Sequence, residues 1–349
     1  MMWRSLSKYV DVNLLVTSLL AALVLFVGMN AFASSTLING AGATFPEPIY
    51  TKWFSEFQKV DPTVTVNYQG IGSGGGIRQL TAGTVDFGAS DAPMTEAEVK
   101  AAGKTVAHIP TVLGAVVVSY NLKLDKALKL DGPTIGEIFS GKINQWNDPK
   151  IAALNPGLKL PNLPIAVATR SDSSGTTAVF TDYLAKVSPL WAGKAGKTAD
   201  WFKGSIGAKG NAGVAGLIKQ AEGTVGYLEL VYALENQLQF SHVKNKAGLF
   251  IEPSMKTVSA AAAGSTKEMV EKDFQVSITN SAAKEAYPIS SFTWLLIPDG
   301  MDPMKGPKVM KFLSWALSEP GQKIAQEMNY APLPKDLRSK ILDRVKKVK

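Results

Sequence analysis

Residues 63–80 read TVTVNYQGIGSGGGIRQL. In the first seven, Val64, Val66 and Tyr68 alternate with Thr65 and Asn67, a period of two that predicts a strand with one apolar face. Glycines at 70, 72, 74, 75 and 76 let the backbone turn tightly around Ser73, which stands where it can cap a helix running on through Ile77 and Leu80. A strand that turns at once into a helix is the repeating unit of α/β folds. β-Branched runs at 115–121 (AVVVSYN), 164–170 (PIAVATR), 224–229 (TVGYLE) and 292–298 (FTWLLIP) predict further strands. The spacing of Ile49, Trp53, Phe54 and Phe57 predicts a helix over 46–59, and a second is predicted over 308–317. Strands and helices interleave throughout, so the expectation is an α/β fold with helices covering mainly parallel sheets. The Gly/Ala/Lys-rich stretch 191–213 reads as loops, and SAAAAG at 259–264 as a flexible surface segment.

The N-terminus reads as a processed leader. Arg4 and Lys8 precede an almost wholly apolar run at 14–27, which ends at the small-x-small pattern Ala31-Phe32-Ala33. A secretory signal peptide over 1–33, cleaved after Ala33, is expected. The alternative of a retained membrane anchor is disfavoured by a run shorter than the roughly 20 residues that span a bilayer. No cysteine follows to carry a lipid, so the product is expected to diffuse freely in the periplasm. Residues 34–349 are too many for one comfortable core, which predicts two lobes.

Composition narrows the function. The 349 residues are 46% hydrophobic and 19% charged, which suffices for well-packed cores and excludes disorder. Cysteine is absent and the histidines are His108 and His242 alone, which excludes a disulfide framework, a thiolate nucleophile, a thiolate zinc site and a multi-histidine metal centre. Neither histidine sits near a recognisable serine-nucleophile motif. No cofactor or metal is expected, and a binding role gains by elimination. Loss of Arg4, Lys8 and Asp11 with the leader lowers the net charge from +8 to +7, yet export makes a nucleic-acid partner unexpected. The basic cluster KDLRSKILDRVKKVK at 335–349 reads as the solvated face of a terminal helix.

The informative feature is a shared chemistry at four helix entrances. GAGATFP at 40–46 offers Thr44, with Pro46 placed as a first helical residue, and GIGSGGG at 70–76 offers Ser73. FGASDAP at 87–93 leads to Thr95 and Glu98 at capping-box spacing, and RSDSSGTT at 170–177 leads into Val179, Phe180, Tyr183 and Leu184. Each joins small residues, hydroxyls and a helix N-terminus, the groups that hold an oxyanion through N–H and O–H donors. Ordinary capping explains any one of them; four suggest convergence on one ligand at the carboxyl ends of the strands. Two other patterns mislead. Gly70, Gly72 and Gly75 satisfy G-x-G-x-x-G with Asp86 and Asp91 beyond, but the preceding strand alternates polar and apolar residues, unlike a central dinucleotide-binding strand. GEIFSGKI at 136–143 has Ile143 where a P-loop needs Ser or Thr, and a helix ending at a glycine explains it better.

Through GAGATFPEPIY, VNYQGIGSGGGIRQL, VDFGASDAPM, GKINQWNDPKIAALNPGLKLP, SSGTTAVFTDYL and EGTVGYLELVYA, the chain resembles the periplasmic phosphate-binding proteins of the phosphate-specific ABC transporter. The similarity runs from about Ile38 to the C-terminal region. The resemblance implies a two-lobed, type II periplasmic-binding-protein fold: 34–111 plus 292–349 form one lobe, 112–291 the other, and two hinge crossovers let the cleft close on its ligand. It implies phosphate ligands at Thr44, Phe45 (through its backbone N–H), Ser73, Asp91, Arg170, Ser174, Gly175 and Thr176, with Asp172 pairing with the arginine. The implied partners are inorganic phosphate and permease subunits in the inner membrane, and a monomer is expected. The family commonly has glycine where this chain has Ser173, and serine or another residue where it has Gly74; these departures bear on fine geometry rather than ligand class.

The residue types suit the task. Burying an anion costs several kcal/mol, which many aligned donors and one bidentate guanidinium must offset. Asp91 is the odd member, since a carboxylate repels an anion. Phosphate near neutral pH retains a proton that an ionised Asp91 can accept. Sulfate has none, a penalty of roughly 3–5 kcal/mol, or about two to four powers of ten in affinity. The expected function is a phosphate receptor that delivers its cargo to an ABC permease. The alternatives are a receptor for another protonated oxyanion such as arsenate or, in a different class, an exported phosphomonoesterase using Ser73 or Ser174.

Overall fold

The computed structural model describes residues 35–348, so the leader expected over 1–33 lies outside the described residues. The strands are β1 (Thr36–Gly42), β2 (Val64–Gly70), β3 (Phe87–Ser90), β4 (Val106–Tyr120), β5 (Lys129–Leu130), β6 (Ala166–Arg170), β7 (Ile206–Ala208), β8 (Thr224–Glu229), β9 (Gln239–Phe240), β10 (His242–Lys244), β11 (Phe250–Ile251) and β12 (Ser290–Pro298). Among the described residues, nine form a sheet in the order β2-β1-β3-β12-β4-β8-β6-β7, with β9 also on β4, while β11, β10 and β5 form a small separate one. Helices fill most of the connections, as α/β alternation requires.

The sheet is not mainly parallel, which corrects the sequence expectation. β1 pairs parallel with β3, and β6 parallel with β7 and β8, but the central run β3-β12-β4-β8 is antiparallel throughout. The cause is a pair of long strands, 15 residues in β4 and 9 in β12, buried along their whole length. They carry the chain from one set of parallel pairs to the other and back. The sequence reading began β4 at 115 because proline and glycine interrupt the preceding run. Pro110 is accommodated because the ladder shifts there: Thr293 faces Val112 while Trp294 faces Pro110, leaving Thr111 unpaired in a bulge, where a strand tolerates proline. β4 pairs with β12 as far as Ala115 and with β8 from Val116 onward.

The predicted helix near 46–59 is Glu47–Val60, with Pro46 as its cap rather than its first residue and with Ile49, Tyr50, Trp53, Phe54 and Phe57 buried. Each such side chain contributes roughly 1.5–3 kcal/mol on leaving water. The terminal helix Lys335–Val345 buries Leu337, Ile341 and Val345 and leaves its basic face outward, as expected. The helix Gly132–Phe139 ends before Gly141, whose φ of 76° suits a glycine terminus. Two expectations fail. The segment at 259–264 is mostly helix, Met255–Ala262, with Val258, Ala261 and Ala262 buried. The stretch 191–213 contains β7 and the start of a helix, Gly210–Gln220. No helix among the described residues is long and apolar enough to cross a membrane.

Candidate functional site

β1 delivers the first entrance. Ala43 N–H bonds to Ala89 O at 3.0 Å, which brings the end of β1 beside the end of β3. The carbonyls of Thr44 and Phe45 accept from Tyr232 Oη at 2.6 Å and Tyr330 Oη at 2.7 Å. In a trans peptide the N–H points opposite the C=O, so Tyr232, by holding the Thr44 carbonyl, aims the Phe45 N–H to the other side.

At the second entrance the helix Ser73–Thr81 is capped by Gly72, at φ 83°, and not by Ser73 as the sequence suggested. Ser73 is instead the first helical residue, and its Oγ accepts from Asp91 N–H at 3.3 Å. The third entrance divides its labour. Thr95 and Glu98 make the expected capping box for the helix Glu96–Ala102, with bonds of 3.2 and 2.8 Å, which leaves Asp91 free of any capping duty. Asp91 is buried, and its Oδ1 accepts from Thr293 Oγ1 at 2.8 Å, beside the bulge in the β12–β4 ladder. Burial pushes the carboxyl up to about 7, against the downward pull of Thr293 and the Arg170 charge and with a further push from Asp172.

Arg170 ends β6 and is buried. Its Nε and Nη2 donate to the two oxygens of Asp172 at 2.7 and 2.5 Å, and its Nη1 donates to Thr176 Oγ1 at 3.2 Å. Burial raises Asp172, but its bonds to Arg170, the arginine's charge and the Gly210 N–H outweigh that and hold it below the usual carboxylate range. Ser174 caps the helix Gly175–Val187 by accepting from Thr177 N–H at 3.1 Å. Gly175 packs so closely that a Cβ on it would overlap Ser73 Oγ and lie 2.5 Å from Asp91 Oδ2. The nine residues the resemblance singled out therefore fall in one connected cluster.

Asn211 belongs to the same cluster and went unrecognised in the sequence. Thr44 Oγ1 accepts from Asn211 N–H at 3.2 Å and from Nδ2 at 2.9 Å, while Thr176 Oγ1 accepts from Arg170 Nη1 and from Asn211 Nδ2, both at 3.2 Å. A hydroxyl has two acceptor lone pairs. With both filled, the hydrogens of Thr44 and Thr176 are left to donate. Asn211 is itself fixed by Glu229 N–H, which donates to Oδ1 at 3.0 Å. The signal was a fifth strand-to-helix turn, β7 into Gly210 at φ 70°, hidden because β7 has only three residues. A second buried carboxyl, Glu229, is pushed well above the carboxylate range by burial and caps the helix Leu230–Glu235 through Val231 N–H at 2.7 Å.

The two sequence departures face one another. Gly74 N–H donates to Ser173 O at 3.0 Å, and a Cβ on Gly74 would overlap Ser173 Oγ. Beside Asp91 lies a cavity of about 250 Å³ whose walls include Ala178, Val179, Lys197 and Trp294, and there Lys197 Nζ pairs with Glu98 Oε2 at 2.7 Å.

Residues 30–320 match the family described as the PBP superfamily domain. The chain is 44% identical over 323 residues to the phosphate-binding protein PstS of Haemophilus influenzae, covering 91% of this chain and 95% of that one. It is 41% identical over 328 residues to the phosphate-binding protein PstS of Pasteurella multocida, covering 92% and 94%. Among solved structures, a high-affinity periplasmic phosphate-binding protein, PfluDING, bound with phosphate, shares the fold at a TM-score of 0.70 and 22% identity, covering 88% of this chain and 93% of that one.

Proposed function

The chain belongs to the PBP superfamily and, within it, to the PstS phosphate-binding proteins, and from that premise we propose that it is an extracytoplasmic receptor that binds inorganic phosphate and hands it to the permease of an ABC transporter. The observation that carries this reading is a buried carboxylate, Asp91, set among hydroxyls, helix-start N–H groups and one guanidinium. Thr44, Ser73, Ser174 and Thr176 hold their oxygens toward protein donors and keep a hydrogen to give. Phe45, Gly175 and Thr176 contribute backbone N–H groups at helix starts. Arg170 adds charge, and Asp91 accepts the proton that phosphate retains. The protein is a receptor and not an enzyme, in line with relatives named as binding proteins.

The lobes of this reading are 34–111 plus 292–349 and 112–291. The change of partner in β4 at Ala115 and Val116 supports a first crossing close to that boundary. Thr44 with Asn211 and Tyr232, Gly74 with Ser173, and Glu98 with Lys197 are then contacts across a closed cleft. Export by a cleaved leader to the periplasm, a monomeric state and docking on inner-membrane permease subunits complete the proposal.

Calorimetry on the protein without its leader is expected to show phosphate binding more tightly than sulfate by about two powers of ten or more at pH 8. Comparable affinities would contradict the reading. Incubation with a chromogenic phosphate ester, with and without divalent cations, is expected to give no turnover. Release above the blank would point to an esterase instead.

Replacing Asn211 with alanine frees the Thr44 and Thr176 hydroxyls to turn and leaves Glu229 N–H unpaired. Phosphate affinity is expected to fall about tenfold to a hundredfold, at about 1–3 kcal/mol for the unmet polar groups. Titration at unchanged affinity would show that Asn211 does not set the direction of these donors.

A further inference from the structure

Gly74 has no conformational reason to be a glycine. It lies within the helix Ser73–Thr81, and it is not among the glycines at positive φ, so its backbone suits any residue. Alanine is favoured over glycine at such a position. The nearest atoms to a Cβ built there are Ser173 Oγ, which it would overlap, Ser173 Cβ at 2.5 Å and Arg78 Nη1 at 3.5 Å. What a side chain at 74 would strike is therefore Ser173, about a hundred residues away in the sequence. Gly74 N–H donates to the carbonyl of that same residue at 3.0 Å. The flanking positions repeat the pattern. A Cβ on Gly72 would overlap Asp172 Oδ2 and lie 2.8 Å from Ser173 O, and a Cβ on Gly175 would overlap Ser73 Oγ. Segment 172–175 thus lies on segment 72–74 with no room for an added methyl group. Ser173 is the neighbour of both Asp172, which holds Arg170, and Ser174, which caps the helix that brings Gly175 to Asp91.

We infer that Gly74 and Ser173 form a closure seam, in which the missing side chain at 74 is a notch that receives the Ser173 side chain when the cleft shuts on its anion. This rests on the receptor reading and deepens it. Gly74 and Ser173 are positioning residues: they act by letting Asp172, Ser174 and Gly175 reach Ser73 and Asp91, and the fit is shared between positions 74 and 173. A methyl group at 74 leaves the open form comfortable and obstructs only the closed one. Removing the serine side chain opposite it makes the room again.

The test uses the protein without its leader as four forms: the parent, Gly74→Ala, Ser173→Gly and the double variant. Phosphate affinity is read by calorimetry, phosphate release by stopped flow, and ligand-free stability by thermal melting. Gly74→Ala is expected to weaken phosphate binding by about tenfold or more, chiefly through faster release, with an unchanged or higher ligand-free melting temperature. Ser173→Gly alone is expected to stay within about threefold of the parent, and the double variant to return to about the affinity of Ser173→Gly. Parent-like binding by Gly74→Ala, or a double variant as weak as Gly74→Ala, would overturn the inference. So would a Gly74→Ala protein that melts well below the parent, since the glycine would then serve the fold itself. A parent that does not bind phosphate would overturn the receptor reading and this inference with it, whereas the pattern among the variants bears on the seam alone.

Discussion

Asp91→Asn is expected to narrow the preference for phosphate over sulfate by about two powers of ten or more, mostly through tighter sulfate binding. One carboxylate oxygen of Asp91 already accepts from Thr293 Oγ1 at 2.8 Å, and the other, Oδ2, lies beside Gly175 and Ser73. An ionised Oδ2 can only accept. It suits a phosphate oxygen that still carries hydrogen, and it meets every sulfate oxygen as one acceptor meets another, in a place that water cannot relieve. An asparagine keeps the bond from Thr293 to its own oxygen and turns an N–H₂ toward the anion, which sulfate can accept. The pH dependence follows from the same group. Burial pushes the Asp91 carboxyl up to about 7. Below that pH it carries a proton and can itself donate to sulfate; above it, the parent's sulfate affinity is expected to fall by about tenfold per pH unit. In Asp91→Asn that slope is expected to vanish. An unchanged phosphate-to-sulfate ratio in the variant would remove Asp91 from the selectivity mechanism.

Arg170→Ala is the second large effect. Of the five N–H groups of a guanidinium, Asp172 takes two and Thr176 one, which leaves one on each terminal nitrogen. These two remain to donate to an anion. Hydrogen bonds to charged groups contribute roughly 1.5–3 kcal/mol each, so their loss is expected to weaken phosphate binding by about two to four powers of ten. Asp172, no longer neutralised, adds to the loss by repulsion. Arg170→Ala/Asp172→Ala should therefore recover part of it. The fold should persist, since Arg170 closes β6 and its backbone N–H keeps its bond to Tyr227 Oη at 3.2 Å. An unchanged circular dichroism spectrum with normal phosphate affinity would make the arginine purely structural.

The parts of this site that were legible in the sequence are those where backbone chemistry leaves a mark. Any one glycine and hydroxyl run at a helix entrance is explained by capping, but four together marked Thr44 and Ser73, while Ser174 and Thr176 came with the resemblance to the phosphate-binding family. Two details inside those entrances were not legible. Ser73 looked like a cap because serine usually is one, yet the positive φ at 72 goes to the glycine and frees the serine oxygen for Asp91 N–H. Asn211 follows a three-residue strand, too short for any periodicity to register, so the turn that positions it read as loop. The antiparallel centre of the sheet was hidden because Pro110 and Gly114 break the pattern of β4, while the bulge at Thr111 that tolerates Pro110 is defined only by the pairing of β4 with β12. The fit of Gly74 to Ser173 is a contact between distant segments, which no local pattern can express.

The most direct measurement is a crystal structure of the protein without its leader, grown with excess orthophosphate. The expected result is a tetrahedral anion with one oxygen within about 2.5–2.7 Å of Asp91 Oδ2, the length of a charge-assisted O–H···O⁻ bond, and with other oxygens on the free N–H groups of Arg170. An empty cleft, or a bound phosphate that leaves the Asp91 carboxylate facing solvent, would contradict it.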